Sequence, residues 1–396
     1  MLSTVFFDNS LAQTSPFPLG LNIIRAEGIY LYDVSGKVFI DFISGVGVSN
    51  LGHGHPKIVQ AIKDQAGKHL HVMVYGEFLQ QPQVRAAKLL TDTLPATLDT
   101  CYFVNSGTEA NEAALKLAKR ATGRTKIVSC IGAYHGSTHG SLSVSGNELK
   151  KSAFRPLLPD VHFMRFGSEE DLKMIDDCTA CVIIETIQGD AGVRIPSVQY
   201  MKALRKRCDE TNTMLILDEV QCGMGRTGTM WAFEQMEIVP DILATGKALA
   251  GGLPVGCMVA SRKLMETFTH DPALGHITTF GGHPLICASI AATLEVYRDE
   301  KVLEDVKEKG LRIFNALKNY PAIKEIRYRG LFFAIDLESE DIVNRVVEKC
   351  LDRGLIAFWF LSCPASFRIA PPLVCTQQEI DKALEIIVDA LNDATQ

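Results

Sequence analysis

The sequence is short of several things at once. Nowhere does it hold the roughly eighteen consecutive apolar residues of a membrane-spanning helix, so no span is expected. It has no surplus of positive charge: 40 basic against 46 acidic residues leave a net charge of −6. That removes the electrostatic argument for a nucleic-acid or anionic-membrane partner. The first eighteen residues, Met1 to Pro18, carry neither a basic region nor a long apolar run and do not read as a secretory signal. The 11 cysteines are odd in number, and several (Cys130, Cys181, Cys257, Cys287) stand inside apolar runs. Reduced, buried thiols in a cytoplasmic protein are expected, not a disulfide framework. Internal repeats and low-complexity segments are also missing.

What the chain does have is core material. With 47% hydrophobic and 22% charged residues over 396 positions, two domains are the natural expectation. Residues 1 to about 20 read as irregular. Ile29–Asp33 and Lys37–Phe42, joined through Gly36, read as a hairpin, Ser44–Val48 as a flexible loop, and Pro56 as the start of a helix reaching about Leu70. Cys101–Val104, Lys126–Cys130, Ala180–Glu185, Met214–Asp218, Asp241–Thr245 and Val255–Ala260 read as buried strands, with helical stretches between several of them, notably Val198–Glu210. Alternation of this kind implies an α/β fold with a mainly parallel sheet. From about Pro284 the pattern changes to helices over 284–298 and 301–319, strands Leu331–Leu337 and Phe367–Ala370, and a last helix Gln377–Leu391. The expected division is 1–50 as a segment packing with the small domain, 51–285 as a large domain, and 286–396 as a small α/β domain.

The chemistry gathers at strand ends. Met214–Asp218 is an apolar run closed by two acids, Asp218 and Glu219, and in open α/β sheets ligands bind at that carboxyl rim. Lys247 follows the next strand. An acid and a lysine so placed suit pyridoxal phosphate, which needs a lysine for its imine and a carboxylate to keep its ring nitrogen protonated. A salt bridge for Asp218 and a solvated surface charge for Lys247 are the plainer alternatives for each residue alone. Asn105-Ser106-Gly107-Thr108 joins a strand to a helix N-terminus, an arrangement that either merely caps the helix or holds a phosphate. Tyr134 and His135, after the next strand, reach the same rim: Tyr134 can stack on a flat ring, and His135 can polarise a group or satisfy a loop carbonyl. Glu185 ends its strand as Asp218 does, and an unpaired buried carboxylate is costly. Gln221 can donate to the phenolic oxygen of the ring.

Three patterns look like sites and are read otherwise. Gly223-Met-Gly-Arg-Thr-Gly228 fits the GxGxxG spacing, but the acids precede the glycines and Trp231–Phe233 is a weak helix start, so a dinucleotide is not expected. Cys178 and Cys181 form a lone C-x-x-C with no second pair at zinc spacing, so no metal is expected. His53 and His55, before Pro56, read as loop packing.

In their order along the chain, Ser44-Gly-Val-Gly47, Gly52-His-Gly-His-Pro56, Asn105–Glu112, Leu217–Gly228, Lys247 and Thr279-Phe-Gly-Gly282 resemble the class III aminotransferases, fold type I pyridoxal-phosphate enzymes, from about residue 20 to 392. The resemblance implies a seven-stranded large-domain sheet. Ser106, Gly107 and Thr108 would cradle the phosphate, Tyr134 would stack on the ring and Val220 would pack its other face. Asp218 would bind the ring nitrogen and Lys247 would carry the imine. Thr278 and Thr279 match the segment that reaches the cofactor phosphate of a partner subunit, which implies a homodimer with shared active sites. Arg368 matches the arginine that grips the substrate's α-carboxylate. The stretch from Glu219 to Gly228 is closest to acetylornithine aminotransferases, and Val46 agrees, since free-ornithine enzymes carry tyrosine there. An amino donor and a 2-oxo acid are therefore the expected partners: N-acetylornithine or a similar ω-amine, with 2-oxoglutarate as acceptor. Ornithine, lysine or 4-aminobutyrate transamination, an aminomutase and a decarboxylase stay open. The chain departs from the family at Ser137, where arginine is usual beside a substrate carboxylate. It also has Asp190 for the usual second acid, Thr186 for proline and His283 for asparagine.

Overall fold

The structure, a computed structural model, describes residues 11–15, 18–74 and 76–395. Much of the N-terminal stretch read as irregular, Pro16 and Phe17 included, lies outside the described residues. Three antiparallel strands come first: Ile23–Glu27 (β1), Tyr30–Asp33 (β2) and Val38–Asp41 (β3). The β2–β3 hairpin is the expected one, closed by Asp33, whose Oδ1 accepts from the Ser35 and Lys37 amides at 2.9 and 2.8 Å. β1 is an addition, since its largely exposed residues carry no alternation that the sequence could reveal.

Ser44–Gly47 corrects the expectation of a flexible loop. It is a tight, partly buried helical turn with Gly45 and Val46 at φ of 58° and 65°. Two contacts hold it: Asp41 Oδ1 accepts from the amides of Ile43 and Ser44, and Ser44 Oγ donates to the Ala370 carbonyl at 2.7 Å. Pro56–Ala66 (α1) opens on proline as expected but stops short of Leu70. The buried Gln65 side chain donates to the His69 carbonyl at 2.9 Å, which closes the turn beyond the helix end. Gln81–Thr91 (α2) follows.

A seven-stranded sheet comes next: Thr100–Val104 (β4), Lys126–Cys130 (β5), Val161–Met164 (β6), Thr179–Glu185 (β7), Met214–Asp218 (β8), Ile242–Gly246 (β9) and Gly256–Ala260 (β10). The spatial order is β4-β10-β9-β8-β7-β5-β6, with β10 antiparallel to both neighbours and the remaining pairs parallel. Six of these strands match the sequence reading to within a residue or two. β6, a short edge strand with partly exposed positions, does not stand out from its loop. Gly107–Thr122 (α3) and Val198–Thr211 (α4) supply covering helices. β7 is buried at every position, as a strand covered on both faces must be. Register then does the positioning: Glu185 lies opposite Asp218, and Asp218 opposite Ala244. Both acids therefore stand on one rim, with Lys247 just past the end of β9.

Beyond it run Pro284–Asp299 (α5) and Val306–Leu317 (α6), then Glu325–Arg329 (β11) and Phe332–Asp336 (β12), Glu340–Asp352 (α7), Leu355–Ile356 (β13), Phe358–Trp359 (β14), Ser366–Ile369 (β15) and Gln377–Thr395 (α8). β11, β12, β15 and β14 form an antiparallel sheet, while β13 pairs in parallel with β3, so the N-terminal strands are completed by a C-terminal one. β11, α7, β13 and β14 have no counterpart in the sequence reading.

Ile184, one residue before the carboxyl end of β7, is fully buried. Ile184→Ala should lower stability by about 3 kcal/mol through lost burial and the cavity left behind, seen as a lower urea midpoint at unchanged slope.

Candidate active site

A cavity of about 520 Å³ opens over the carboxyl rim of the sheet. One end of it is the turn from β4 into α3. Ser106 is the N-cap, its Oγ accepting from the Glu109 amide at 3.3 Å. Glu109 closes back one residue further than a capping box would, accepting from the Asn105 amide at 2.7 Å and from Asn105 Nδ2 at 2.9 Å. The first turn of α3 therefore faces the cavity with amides that have no acceptor inside the helix. Close approach is built in: a Cβ on Gly107 would lie 2.6 Å from Val220 Cγ1, and Gly136 (φ 127°) sits where any Cβ would strike Thr108.

The floor is Asp218. Its Oδ2 accepts from Asn111 Nδ2 and meets His135 Nδ1, each at 2.8 Å, and its Oδ1 accepts from the Val220 amide at 3.0 Å. Asn111 also donates to the His135 carbonyl at 2.8 Å, so one amide fixes both groups. No lysine or arginine pairs with Asp218 among the described residues. Lys247 Nζ, likewise, has no hydrogen-bond partner among them; burial pushes its pKa below the ordinary amine value, against the opposing pull of Asp218 and Glu185. Glu185 accepts from the Tyr134 amide at 3.1 Å and the Gly189 amide at 2.8 Å, fixing the loop that carries Tyr134. Tyr134 itself is left 43% exposed at the cavity mouth, its hydroxyl 3.3 Å from Ser137 Oγ.

Ser106, Gly107, Thr108, Tyr134, His135, Ser137, Glu185, Asp218, Val220, Gln221 and Lys247 are thus gathered around one cavity. Val46, Asp190, Arg368, Thr278 and Thr279 are not among its lining residues. Val46 packs beside Phe39, Ile43 and Ile356, while its neighbour Val48 lines the cavity. Asp190 accepts from the Leu361 amide at 3.1 Å and from Ser362 Oγ at 2.8 Å. Arg368 is 5% exposed, and its side chain makes no hydrogen bond or ion pair among the described residues. Its guanidinium stands 5.2 Å from the centre of the Phe360 ring, and burial lowers its pKa. Thr278 Oγ1 accepts from the Gly281 amide at 2.8 Å. Asn111 is the residue the sequence reading missed. Its signal was there, an amide inside the otherwise apolar face of Ala110, Ala113, Ala114 and Leu117.

The three side patterns resolve physically. Glu219 accepts from Thr186 Oγ1 and from the Ala232 and Phe233 amides, so the glycines after it form a locked turn leading to a short 3₁₀ segment, Ala232–Met236. His53 and His55 pair with Asp41 and Glu300, carboxylates on two different elements. Cys181 is buried in β7 while Cys178 is exposed before it.

The model of the family described as "Aminotransferase class-III" matches residues 11–391. The chain belongs to the class III aminotransferases. Among curated members of that family, the acetylornithine aminotransferase of Methanopyrus kandleri is 38% identical over 381 residues, covering 95% of each chain. The [LysW]-aminoadipate semialdehyde/glutamate semialdehyde transaminase of Sulfolobus acidocaldarius is 36% identical, over 94% of this chain and 95% of its own. Among solved class III folds, the ornithine aminotransferase of Toxoplasma gondii superposes with a TM-score of 0.90 at 29% identity, over 98% of this chain and 93% of its own. This aminotransferase thus has the fold type I architecture expected of it.

Burial pushes the Glu185 carboxyl up to about 7 from an ordinary 4.5. A raised carboxyl means that ionisation is resisted by the folded state: no penalty below the unfolded value, a penalty growing between the two values, and a full one above about 7. Relative to the parent, Glu185→Gln should therefore gain stability as pH rises from 5 to 8, on the order of 2 kcal/mol, in denaturation of the cofactor-free protein. A pH-independent difference would refute the raised carboxyl.

Proposed function

We propose that this aminotransferase binds pyridoxal phosphate covalently at Lys247 and moves the terminal amino group of N-acetylornithine, or a similar ornithine-like ω-amine, to a 2-oxo acid such as 2-oxoglutarate. The observation that carries the reading is the buried Asp218 carboxylate, held by an amide and an imidazole but by no lysine or arginine, in one cavity with an unpartnered lysine. A buried carboxylate so held is costly unless a cationic ligand group completes it. The bound cofactor supplies an electrophilic carbon and an electron-withdrawing ring. Ser106, Gly107 and Thr108 would hold its phosphate, Tyr134 and Val220 would flank its ring, and Gln221 would donate to its phenolic oxygen. Glu185 steadies the Tyr134 loop, and His135 with Asn111 holds and aims the Asp218 carboxyl. The lowered pKa of Lys247 favours the neutral amine, which accepts a proton at Nζ and returns it once substrate has displaced it. Arg368 pairs with the substrate carboxylate through two parallel hydrogen bonds, with Asp190 fixing the 361–362 turn nearby. Val46 and Ser137 flank the substrate side.

The same reading makes the enzyme a cytoplasmic homodimer, with Thr278 and Thr279 of each copy completing the phosphate site of the other. Exposed apolar side chains at Phe78, Leu79, Leu274, Ile277 and Phe280 support an interface there. The three-part division at residues 50 and 285 belongs to the proposal too. One observation favours a second donor class. Among the described residues lining the cavity, Lys247 is the one lysine or arginine, and Ser137 puts a neutral hydroxyl where the family usually has a guanidinium. That favours ω-amines whose far end is uncharged. No helix among the described residues is long and apolar enough to cross a membrane.

Lys247→Ala should remove the absorbance of the lysine-bound cofactor and reduce turnover by at least about a thousandfold. Wild-type holoenzyme mixed with N-acetylornithine, ornithine, lysine or 4-aminobutyrate should pass to the pyridoxamine form fastest with the first. Preference for an acid-free amine would select the second class. Gly107→Ala should weaken cofactor binding about tenfold by driving a methyl group into Val220, and Val220→Ala on top should recover most of it, as read by cofactor titration.

A further inference from the structure

Arg226 is the one fully buried arginine side chain that the proposed chemistry does not use. It sits in the turn after Glu219, is 1% exposed, and burial lowers its pKa to about 10. No carboxylate pairs with it among the described residues. Its Nη donors go to neutral oxygens on three separate stretches of chain, while Nε has no partner among the described residues. Nη1 donates to the Leu331 carbonyl at 2.9 Å and the Pro371 carbonyl at 2.6 Å; Nη2 donates to Asn50 Oδ1 and, at 3.4 Å, to Ser44 Oγ. The Arg226 carbonyl accepts from the Leu331 amide at 3.0 Å.

The same oxygens and their neighbours are tied to one another. Ser44 Oγ donates to the Ala370 carbonyl at 2.7 Å, the Ala370 amide to the Phe42 carbonyl at 2.6 Å, and the Leu373 amide to the Asn50 carbonyl at 2.7 Å. Asn50 Nδ2 donates to the Met224 carbonyl at 2.8 Å. A buried cation in a cage of carbonyls is expensive to make, and it holds its surroundings to one geometry because each displaced oxygen leaves a charged donor unpaired. Two of the fixed carbonyls, Ala370 and Pro371, belong to the second and third residues after Arg368. The Ser44–Asn50 stretch reaches the cavity as well: a Cβ on Gly47 would lie 4.0 Å from Lys247 Cδ.

We infer that Arg226 is a positioning residue for substrate carboxylate recognition: by clamping the Pro371 carbonyl directly, and the Ala370 carbonyl through Ser44 Oγ, to the Ser44–Asn50 stretch, it sets the distance between the Arg368 guanidinium and Lys247. The inference rests on the reading of Arg368 as the carboxylate grip. A residue that holds the fold in general would affect every substrate. One that sets this distance affects substrates with a carboxylate at the grip and spares amines without one, since misplacement by a fraction of an ångström matters only where both ends are bound.

The test compares two donors on purified holoenzyme: whichever carboxylate-bearing amine is used best, and 1-aminopentane, which has no carboxylate. In Arg226→Lys, the KM of the carboxylate donor should rise about tenfold with kcat within threefold, while kcat/KM for 1-aminopentane stays within about twofold. Ser44→Ala, which removes two hydrogen bonds of the clamp and leaves the guanidinium, should move the same ratio in the same direction by about threefold; it carries the test if Arg226→Lys does not fold. Equal losses for both donors, or no loss for either, would overturn the inference. Arg368→Lys separates the two layers. If it spares the carboxylate donor, the grip reading fails and the inference with it. If it is selective and Arg226→Lys is not, only the role of Arg226 fails.

Discussion

A carboxylate at the floor of a buried cavity, held by an amide and an imidazole and by no lysine or arginine, is the constraint on which this structure turns. Apolar packing does not explain Asp218, because a buried carboxyl group is costly unless its oxygens are hydrogen-bonded. The surroundings are arranged to supply those bonds. Asn111 places one donor on it and another on the His135 carbonyl, so the imidazole that supplies the second contact cannot turn away. Parallel register then sets Glu185 beside it and the β9 end beyond it. Three strand ends and one helix are thereby committed to a single small volume.

The sheet also explains why two glycine-bearing turns, alike in the sequence, do unlike work. The turn at Ser106–Thr108 keeps its amides free because Glu109 spends its carboxylate on Asn105 one residue upstream. The turn at Gly223–Gly228 has no such freedom. Glu219 ties the chain beyond it through the amides of Ala232 and Phe233, and Arg226 fills its centre. One turn leaves its amides open to the cavity and the other is a structural lock. Only the side chains flanking the glycines separate them.

Much of this was legible in the sequence, for identifiable reasons. The inner strands β7, β8, β9 and β10 are almost wholly buried and, like β4 and β5, carry short apolar runs, so their ends, and with them Asp218 and Glu185, could be read directly. The placement of Lys247 after β9, beside Asp218, suggested its role from the residues alone, while the role expected of Arg368 came only from the resemblance. What was lost belongs to tertiary context. β1 and β6 are edge strands whose partly exposed residues carry no pattern. The turn at Ser44–Gly47 reads as flexible because its glycines are local, while the oxygen that freezes it belongs to Ala370, more than three hundred residues away. Asn111 was hidden by its neighbours: an amide in an alanine-rich helix face looks like tolerance until a carboxylate more than a hundred residues later is found against it.

The two buried arginines make the final distinction. Arg226 and Arg368 both carry a charge that burial disfavours, and neither has a carboxylate within ion-pair reach among the described residues. Arg226 answers the cost internally, with carbonyl and side-chain oxygens taken from three stretches of chain. Arg368 does not answer it at all: its charge faces aromatic rings and the distant field of Asp190. A fold under selection for stability alone would satisfy both or dispense with both, since apolar replacements of buried charges are often neutral or stabilising. Leaving one with both terminal nitrogens partnered and only Nε open, and the other with no hydrogen-bond partner among the described residues, makes sense if the open guanidinium is completed by a substrate carboxylate and the other keeps it where that carboxylate arrives. The expense of Arg226 and the incompleteness of Arg368 are then two parts of one arrangement.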